Sequence, residues 1–148
     1  MPHTFGVIYV HLIFSTKDRV PCLNASMRPQ LFAYLATLVR DLGCECPRVG
    51  GTADHVHLAV RLSRTATVAD LVEGIKVASS KWIKAQGISL FSWQPGYGAF
   101  SVGPADLKAL VAYIDSQEEH HRKKSFEDEF RQLLTKYGIA IDEKFLWR

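Results

Sequence analysis

The stretch from Cys44 to Leu62 decides the architecture: Cys44-Glu45-Cys46-Pro47-Arg48-Val49, then Gly50-Gly51-Thr52-Ala53-Asp54, then His55-Val56-His57-Leu58-Ala59-Val60-Arg61-Leu62. Two strand-like runs flank five turn-forming residues, so residues 44–49 and 55–62 read as a β-hairpin. Helical patterns stand on both sides of it. Upstream, Ser26 is a candidate cap for a helix from Met27 to about Leu42, with Leu31, Leu35, Leu38 and Leu42 at helical spacing and Gly43 as its stop. Downstream, Thr67 caps a helix over about Val68 to Ala85, with Leu71, Ile75, Ala78 and Trp82 along one face. Further out, the apolar run of residues 5–14 reads as a buried strand, and a short strand over Ala99–Val102 follows the Gly/Pro-rich loop from Trp93 to Gly98. The order β-α-β-β-α-β predicts an α+β, ferredoxin-like fold. Both helices would cover one face of a four-stranded antiparallel sheet and leave the other face free.

The rest of the chain predicts two more helices. Pro104 suits a helix start, with about Ala105–Lys124 helical, and Ser125 caps Phe126–Tyr137, which Gly138 ends. Residues 1–148 then form one domain, with a core over about 1–103 and C-terminal helices over about 104–148 that must pack on the open face or on another subunit. With 47% hydrophobic and 22% charged residues, the composition is globular and excludes a disordered or collagenous chain. The net charge of +3 is uneven: residues 1–105 hold ten Lys/Arg against six Asp/Glu, and residues 106–148 hold eight against nine. A basic body is compatible with phosphate contact, and equally with an ordinary solvated surface. No apolar run approaches the roughly 20 residues needed to cross a bilayer, and the N-terminus lacks a signal-like core. The expectation is a cytoplasmic protein without membrane partners, whose three cysteines remain reduced thiols.

On a strand, His55 and His57 point the same way about 7 Å apart, a spacing at which two imidazoles can bind one divalent ion. A pair of half-exposed strand histidines fits the same pattern. Ala59 stands where a histidine-triad hydrolase would need a third histidine. Tyr113 and Gln117 are four residues apart on one flank of the stripe Leu107, Leu110, Val111 and Ile114, with His120 a turn further on. They suit either a shared polar edge or plain amphipathic packing. Cys44-x-Cys46 joined to His55-x-His57 would offer a structural zinc tetrahedron, although its spacing is shorter than usual and leaves Tyr113 and Gln117 unused.

Taken in order, His55-Val56-His57, Tyr113-x-x-x-Gln117, the segment from Val10 to Lys17 and the segment from Gly96 to Val102 resemble the single-tyrosine HUH transposases of small bacterial insertion sequences and the REP-associated tyrosine transposases. The resemblance implies Tyr113 as nucleophile and His55, His57 and Gln117 as ligands of a divalent metal ion, Mg²⁺ or Mn²⁺. It implies single-stranded DNA cleavage and rejoining through a 5′-phosphotyrosine, on single-stranded or hairpin DNA. It also implies a homodimer in which one subunit delivers its tyrosine to the histidines of the other. His120 is a candidate proton relay. Lys17, Arg19, Arg61 and Arg64 are candidate phosphate contacts, as are Lys81 and Lys84, and Trp93 and Tyr97 are candidate base-stacking residues. Arg122, Lys123 and Lys124, offset by Glu118, Glu119 and Glu127 to Glu129, read as a solvated helix end. The competing functions are a non-catalytic nucleic-acid-binding module with an RRM-like sheet and the structural zinc protein.

Overall fold

The computed structural model describes residues 3–142. Four strands, β1 (Tyr9–Ser15), β2 (Glu45–Gly51), β3 (His55–Arg61) and β4 (Gly98–Val102), form one antiparallel sheet in the order β2-β3-β1-β4. Helices α1 (Arg28–Asp41) and α2 (Val68–Ala85) lie between them in sequence, so the β-α-β-β-α-β order and the ferredoxin-like strand arrangement are present. Alternation along the two central strands makes the sheet two-sided. Val10, Leu12 and Phe14 of β1 and Val56, Leu58 and Val60 of β3 bury against Leu31, Leu35, Val39, Leu71, Ile75 and Ile83 of the two helices. His11, Ile13 and Ser15, with His55, His57 and Ala59, therefore occupy the opposite face.

Local chemistry explains most element ends. The Thr67 hydroxyl accepts the Asp70 amide at 3.1 Å and starts α2, as expected. Ser26 makes no such cap; α1 begins after Met27 with Pro29 in its first turn. Gly43 ends it in the left-handed region, φ 84°. Val39 rather than Leu42 completes the buried face of α1, and Leu42 is 46% exposed. Gly50 and Gly51 belong to β2, so the hairpin turn shrinks to Thr52-Ala53-Asp54.

The C-terminal segment covers the open face of the sheet. Its expected long helix is interrupted: α3 (Leu107–Asp115) follows a single 3-10 turn over Pro104–Asp106 and ends at Ser116, and α4 (Gln117–His120) resumes after it. At the break the Ser116 hydroxyl donates to the Tyr113 carbonyl at 3.0 Å, a local bond that competes with the helical ladder. Helix α5 (Phe126–Lys136) starts at the Ser125 cap, whose hydroxyl accepts the Asp128 amide at 3.2 Å. Phe126 and Leu134 of α5 bury against Ile13 and Phe100 in a second, smaller apolar cluster.

Gly50 sets how closely α3 approaches. It pairs with His57 in the sheet, and a Cβ there would stand 2.7 Å from Ile114 Cγ2 and 2.8 Å from the Ile114 carbonyl oxygen. The backbones touch because no side chain intervenes. Gly50→Val should destabilise the protein by about 1–3 kcal/mol, the usual range for overpacking, in chemical denaturation. Gly96→Ala, at a glycine with nothing within 4 Å of its Cβ position, is the control and should leave the midpoint nearly unchanged.

Candidate functional site

Between the polar face of the sheet and the C-terminal helices lies a cluster centred on a carboxylate. Glu129 of α5 is 2% exposed, and its two oxygens gather donors from β3, α3, α4 and the turn that follows α4. Oε1 accepts from His57 Nε2 at 3.2 Å and from His121 Nε2 at 3.0 Å. Oε2 accepts from the Gln117 amide at 3.1 Å and from the Tyr113 hydroxyl. His55 Nε2 lies 3.6 Å from Oε1, and His120 Nε2 lies 3.6 Å from Oε2. Burial alone would raise the Glu129 pKa, but the hydrogen bonds from His121, His57 and Tyr113 outweigh it and hold the group well below the ordinary carboxylate range. Tyr113 shifts the other way. Burial, then the hydrogen bond to Glu129 and its negative charge, raise the phenol above its usual value. The resting site therefore keeps the proton on Tyr113 and the charge on Glu129.

Both strand histidines are fully buried and gripped from behind. Asp54 Oδ1 accepts from His55 Nδ1 at 2.8 Å, and the Thr52 hydroxyl steadies that carboxylate at 3.1 Å. His57 Nδ1 meets His11 Nε2 of β1 at 2.7 Å. Burial lowers the His57 pKa to about 4 and that of His11 to about 3, so both imidazoles are neutral near pH 7.

The donor set fits a metal ion. With its Nδ1 proton engaged by Asp54, His55 presents Nε2 to Gln117 Oε1 at 2.9 Å, two acceptor atoms that need a cation, proton or metal, between them. One ligand atom from each of His55, His57, His121 and Glu129 lies within 4.8 Å of the others. Neutral imidazoles joined by one carboxylate and an amide oxygen suit a divalent first-row ion.

The site thus brings together His55, His57, Tyr113 and Gln117 within a single chain, although Ser116 breaks the helix between the last two. In this arrangement Tyr113 meets the histidines of its own chain through Glu129, whereas the resemblance implies delivery from a second subunit. His120 is not bonded to Tyr113; its ring meets the phenol edge-on with centroids 5.4 Å apart. Glu129, His121 and His11 join the site without having been singled out by any motif. Glu129 stands in a charged run that reads as a solvated helix end, but it follows Phe126 by three residues and precedes Leu133 by four, so it shares their inward stripe. A carboxylate on an apolar stripe is the signal that could have found it.

The basic candidates separate. Lys17 and Arg19 lie just beyond the Ser15 end of β1, which pairs with His55, and Arg19 bridges Glu127 at 2.7 Å. Arg61 and Arg64 are at the far end of β3, where Arg61 faces Glu45 at 3.4 Å. Trp93 is in the helix-side core with its indole donating to Ser79 at 3.0 Å, so burial removes it from the stacking candidates. Tyr97 is 40% exposed, with Lys76 Nζ 5.8 Å from its ring centroid. The zinc tetrahedron does not form: Cys44 is buried in the helix-side core, and the metal-competent cluster found among the described residues contains no cysteine.

These buried groups make stability acid-sensitive. The unfolded histidines titrate at their ordinary value of 6.5, while folded His57 and His11 titrate near 4 and 3. Below pH 6.5 the unfolded chain therefore takes up protons that the folded chain refuses, and stability falls as pH falls. Depressed Glu129 acts in the same direction below its ordinary range. Thermal melts in chelator should show a loss on the order of 4 kcal/mol between pH 7 and pH 5, about 2 kcal/mol from each histidine. A melting temperature level or rising across that interval would contradict neutral burial of the pair.

Comparison with known proteins agrees with this constellation. A family model described as "Transposase IS200 like" matches residues 4–117, well over half of the chain. Among solved structures, the chain is similar to a candidate transposase from Deinococcus radiodurans R1, with TM-score 0.65 and 22% identity over 79% of this chain and 95% of that one. It is also similar to a REP-associated tyrosine transposase bound to a REP hairpin, with TM-score 0.61 and 17% identity over 82% of this chain and 72% of that one. No functionally curated protein matches. At these identities the solved structures establish the shared fold, and the family match over most of the sequence, including both strand histidines, Tyr113 and Gln117, shows that the chain belongs to the IS200-like transposases.

Proposed function

We propose that the chain cleaves and rejoins single-stranded DNA by transesterification at Tyr113. The observation that carries this reading is the convergence of the Tyr113 hydroxyl, the Gln117 amide and both strand histidines on one buried cluster. In the forward step the phenol oxygen attacks the scissile phosphorus, the bond to the 3′-oxygen breaks, and that oxygen leaves as a 3′-hydroxyl. The 5′-phosphate remains on Tyr113. A phenol is a poor nucleophile near pH 7 but a good leaving group from phosphorus, so a 3′-hydroxyl can reverse the step and rejoin DNA without a nucleotide cofactor.

His55, His57 and Gln117 would hold a divalent ion, with His121 and Glu129 within reach as further donors. When bound, it would neutralise charge on a non-bridging phosphate oxygen and orient the phosphate for in-line attack. The nitrogen-rich set favours Mn²⁺ over Mg²⁺ in affinity, although abundance would favour Mg²⁺. Glu129 accepts the phenol's hydrogen bond and aims its oxygen, and the proton released as the new bond forms is handed on past it, by way of His120 one contact further out, to the departing 3′-oxygen. Lys17 and Arg19 are the phosphate contacts nearest the site, and Arg61 and Arg64 would serve DNA at the other end of the sheet. The similar REP-bound structure supports a hairpin as the substrate to test first. A homodimer would present two such sites, each complete within its own chain.

Incubation with a single-stranded hairpin and Mn²⁺ should yield a covalent 5′-DNA adduct on a denaturing gel. Tyr113→Phe should abolish it, and His57→Ala and chelator should each reduce it at least about 100-fold. Adduct formed by Tyr113→Phe would remove Tyr113 from its role. Metal-independent hairpin binding with no adduct would favour the non-catalytic module. A second experiment mixes Tyr113→Phe with His57→Ala. Because one chain supplies both groups, the mixture should remain inactive, and recovered adduct would mean that the working site is shared between subunits.

A further inference from the structure

The proposed chemistry leaves unexplained a buried histidine behind the cluster. His11 of β1 is 4% exposed and lies edge to edge with His57, ring centroids 5.0 Å apart and planes 23° from parallel. Its Nε2 lies 2.7 Å from His57 Nδ1, so one of the two rings must donate and the other accept. The direction follows from the other end of His57. Both oxygens of Glu129 already receive hydrogen bonds, from the Gln117 amide, the Tyr113 hydroxyl and His121, so Glu129 is the acceptor and His57 Nε2 carries the proton and donates to it at 3.2 Å. His57 Nδ1 is then a lone pair, and His11 Nε2 is the donor.

A metal ion at His57 Nε2 needs the reverse. That nitrogen must offer its lone pair, so the ring's proton must move to Nδ1, where it needs an acceptor. His11 can become that acceptor by carrying its own proton on Nδ1 instead. It also lines a cavity of about 330 Å³ with Ser101, Asp106, Tyr113 and Lys136, which gives its proton a route of exchange with solvent. Asp54 behind His55 has no such freedom, because a carboxylate accepts in both states.

We propose that His11 is a positioning residue for His57, a reversible tautomer partner that lets the same ring atom present either an N–H to Glu129 or a lone pair to a metal ion. The inference rests on the proposed metal role of His57, but its test uses no DNA. In the metal-free native chain, ¹⁵N spectra of labelled histidines should show His57 as a single neutral tautomer protonated at Nε2. Zn²⁺, added as a diamagnetic probe, should move that proton to Nδ1. His11→Phe keeps a ring at the position but removes both nitrogens, and should weaken Mn²⁺ binding about 10- to 100-fold, the usual range for loss of a residue that orients a ligand. His11→Gln, whose amide can donate or accept, should recover most of that affinity.

A native His57 protonated at Nδ1 in the metal-free chain overturns the assignment without any variant, so the test survives if His11→Phe does not fold. A folded His11→Phe that binds Mn²⁺ as tightly as the native chain also overturns it, as does a His11→Gln no better than His11→Phe. If the spectra and affinities behave as expected while no adduct forms, transesterification at Tyr113 fails and the tautomer role of His11 stands. Adduct formation without the expected proton shift overturns the tautomer role and leaves transesterification standing.

Discussion

A charged carboxylate at 2% exposure is tolerable only if its surroundings supply hydrogen-bond donors, and much of the molecule beyond the helix-side core is arranged to supply them to Glu129. His57 comes from the sheet, Tyr113 from α3, Gln117 from α4, and His121 from the turn before α5. Removing such partners from a buried charge typically costs about 3–5 kcal/mol. The same bonds that offset the desolvation of Glu129 fix the tyrosine and amide relative to the strand histidines. Polar satisfaction and site assembly are therefore one requirement, and the C-terminal helices belong to the site as much as the sheet does.

The sheet prepares this by chemical asymmetry. One face of β1 and β3 is wholly apolar and carries the stability of the fold. The other carries His11, His55 and His57, and the two rings that belong to the metal-competent cluster, His55 and His57, have their second nitrogen already engaged. A metal ligand held this way points its remaining nitrogen without having to search for an orientation. Gly50 lets α3 lie directly on the hairpin edge, which brings Tyr113 within reach of groups on the strand beneath.

The parts legible in the sequence are those set by local pattern. Alternation along residues 55–61, the Thr67 and Ser125 caps and the glycine stops at 43 and 138 place β2, β3, β4 and most helix ends within a residue or two, whereas the apolar run from Phe5 overstates β1, which begins at Tyr9 and leaves Phe5, Val7 and Ile8 exposed. His55, His57, Tyr113 and Gln117 are legible because their spacing within a strand or a helical turn carries meaning. The break at Ser116 is not, because a serine hydroxyl bonds back to the chain without any change in the apolar stripe. Glu129 and His121 are hidden for another reason: the bond from His57 to Glu129 spans 72 residues, and an acidic residue in a charged run looks solvated until the packing is known. His11 is visible only as an interruption of an apolar strand.

The two apolar clusters on either side of the sheet are unequal. The helix-side core joins residues from β1, β3 and both long helices, whereas Ile13, Phe100, Phe126 and Leu134 make up the buried part of the other. A layer held by so few apolar contacts and one ionised network opens at a lower free energy than the body it covers. The Glu129 cluster and the fold therefore have separate thresholds, and the protein can lose the first to mild acid or heat while it retains the second. Amide protection should consequently fall into two tiers, with the boundary running along the sheet itself.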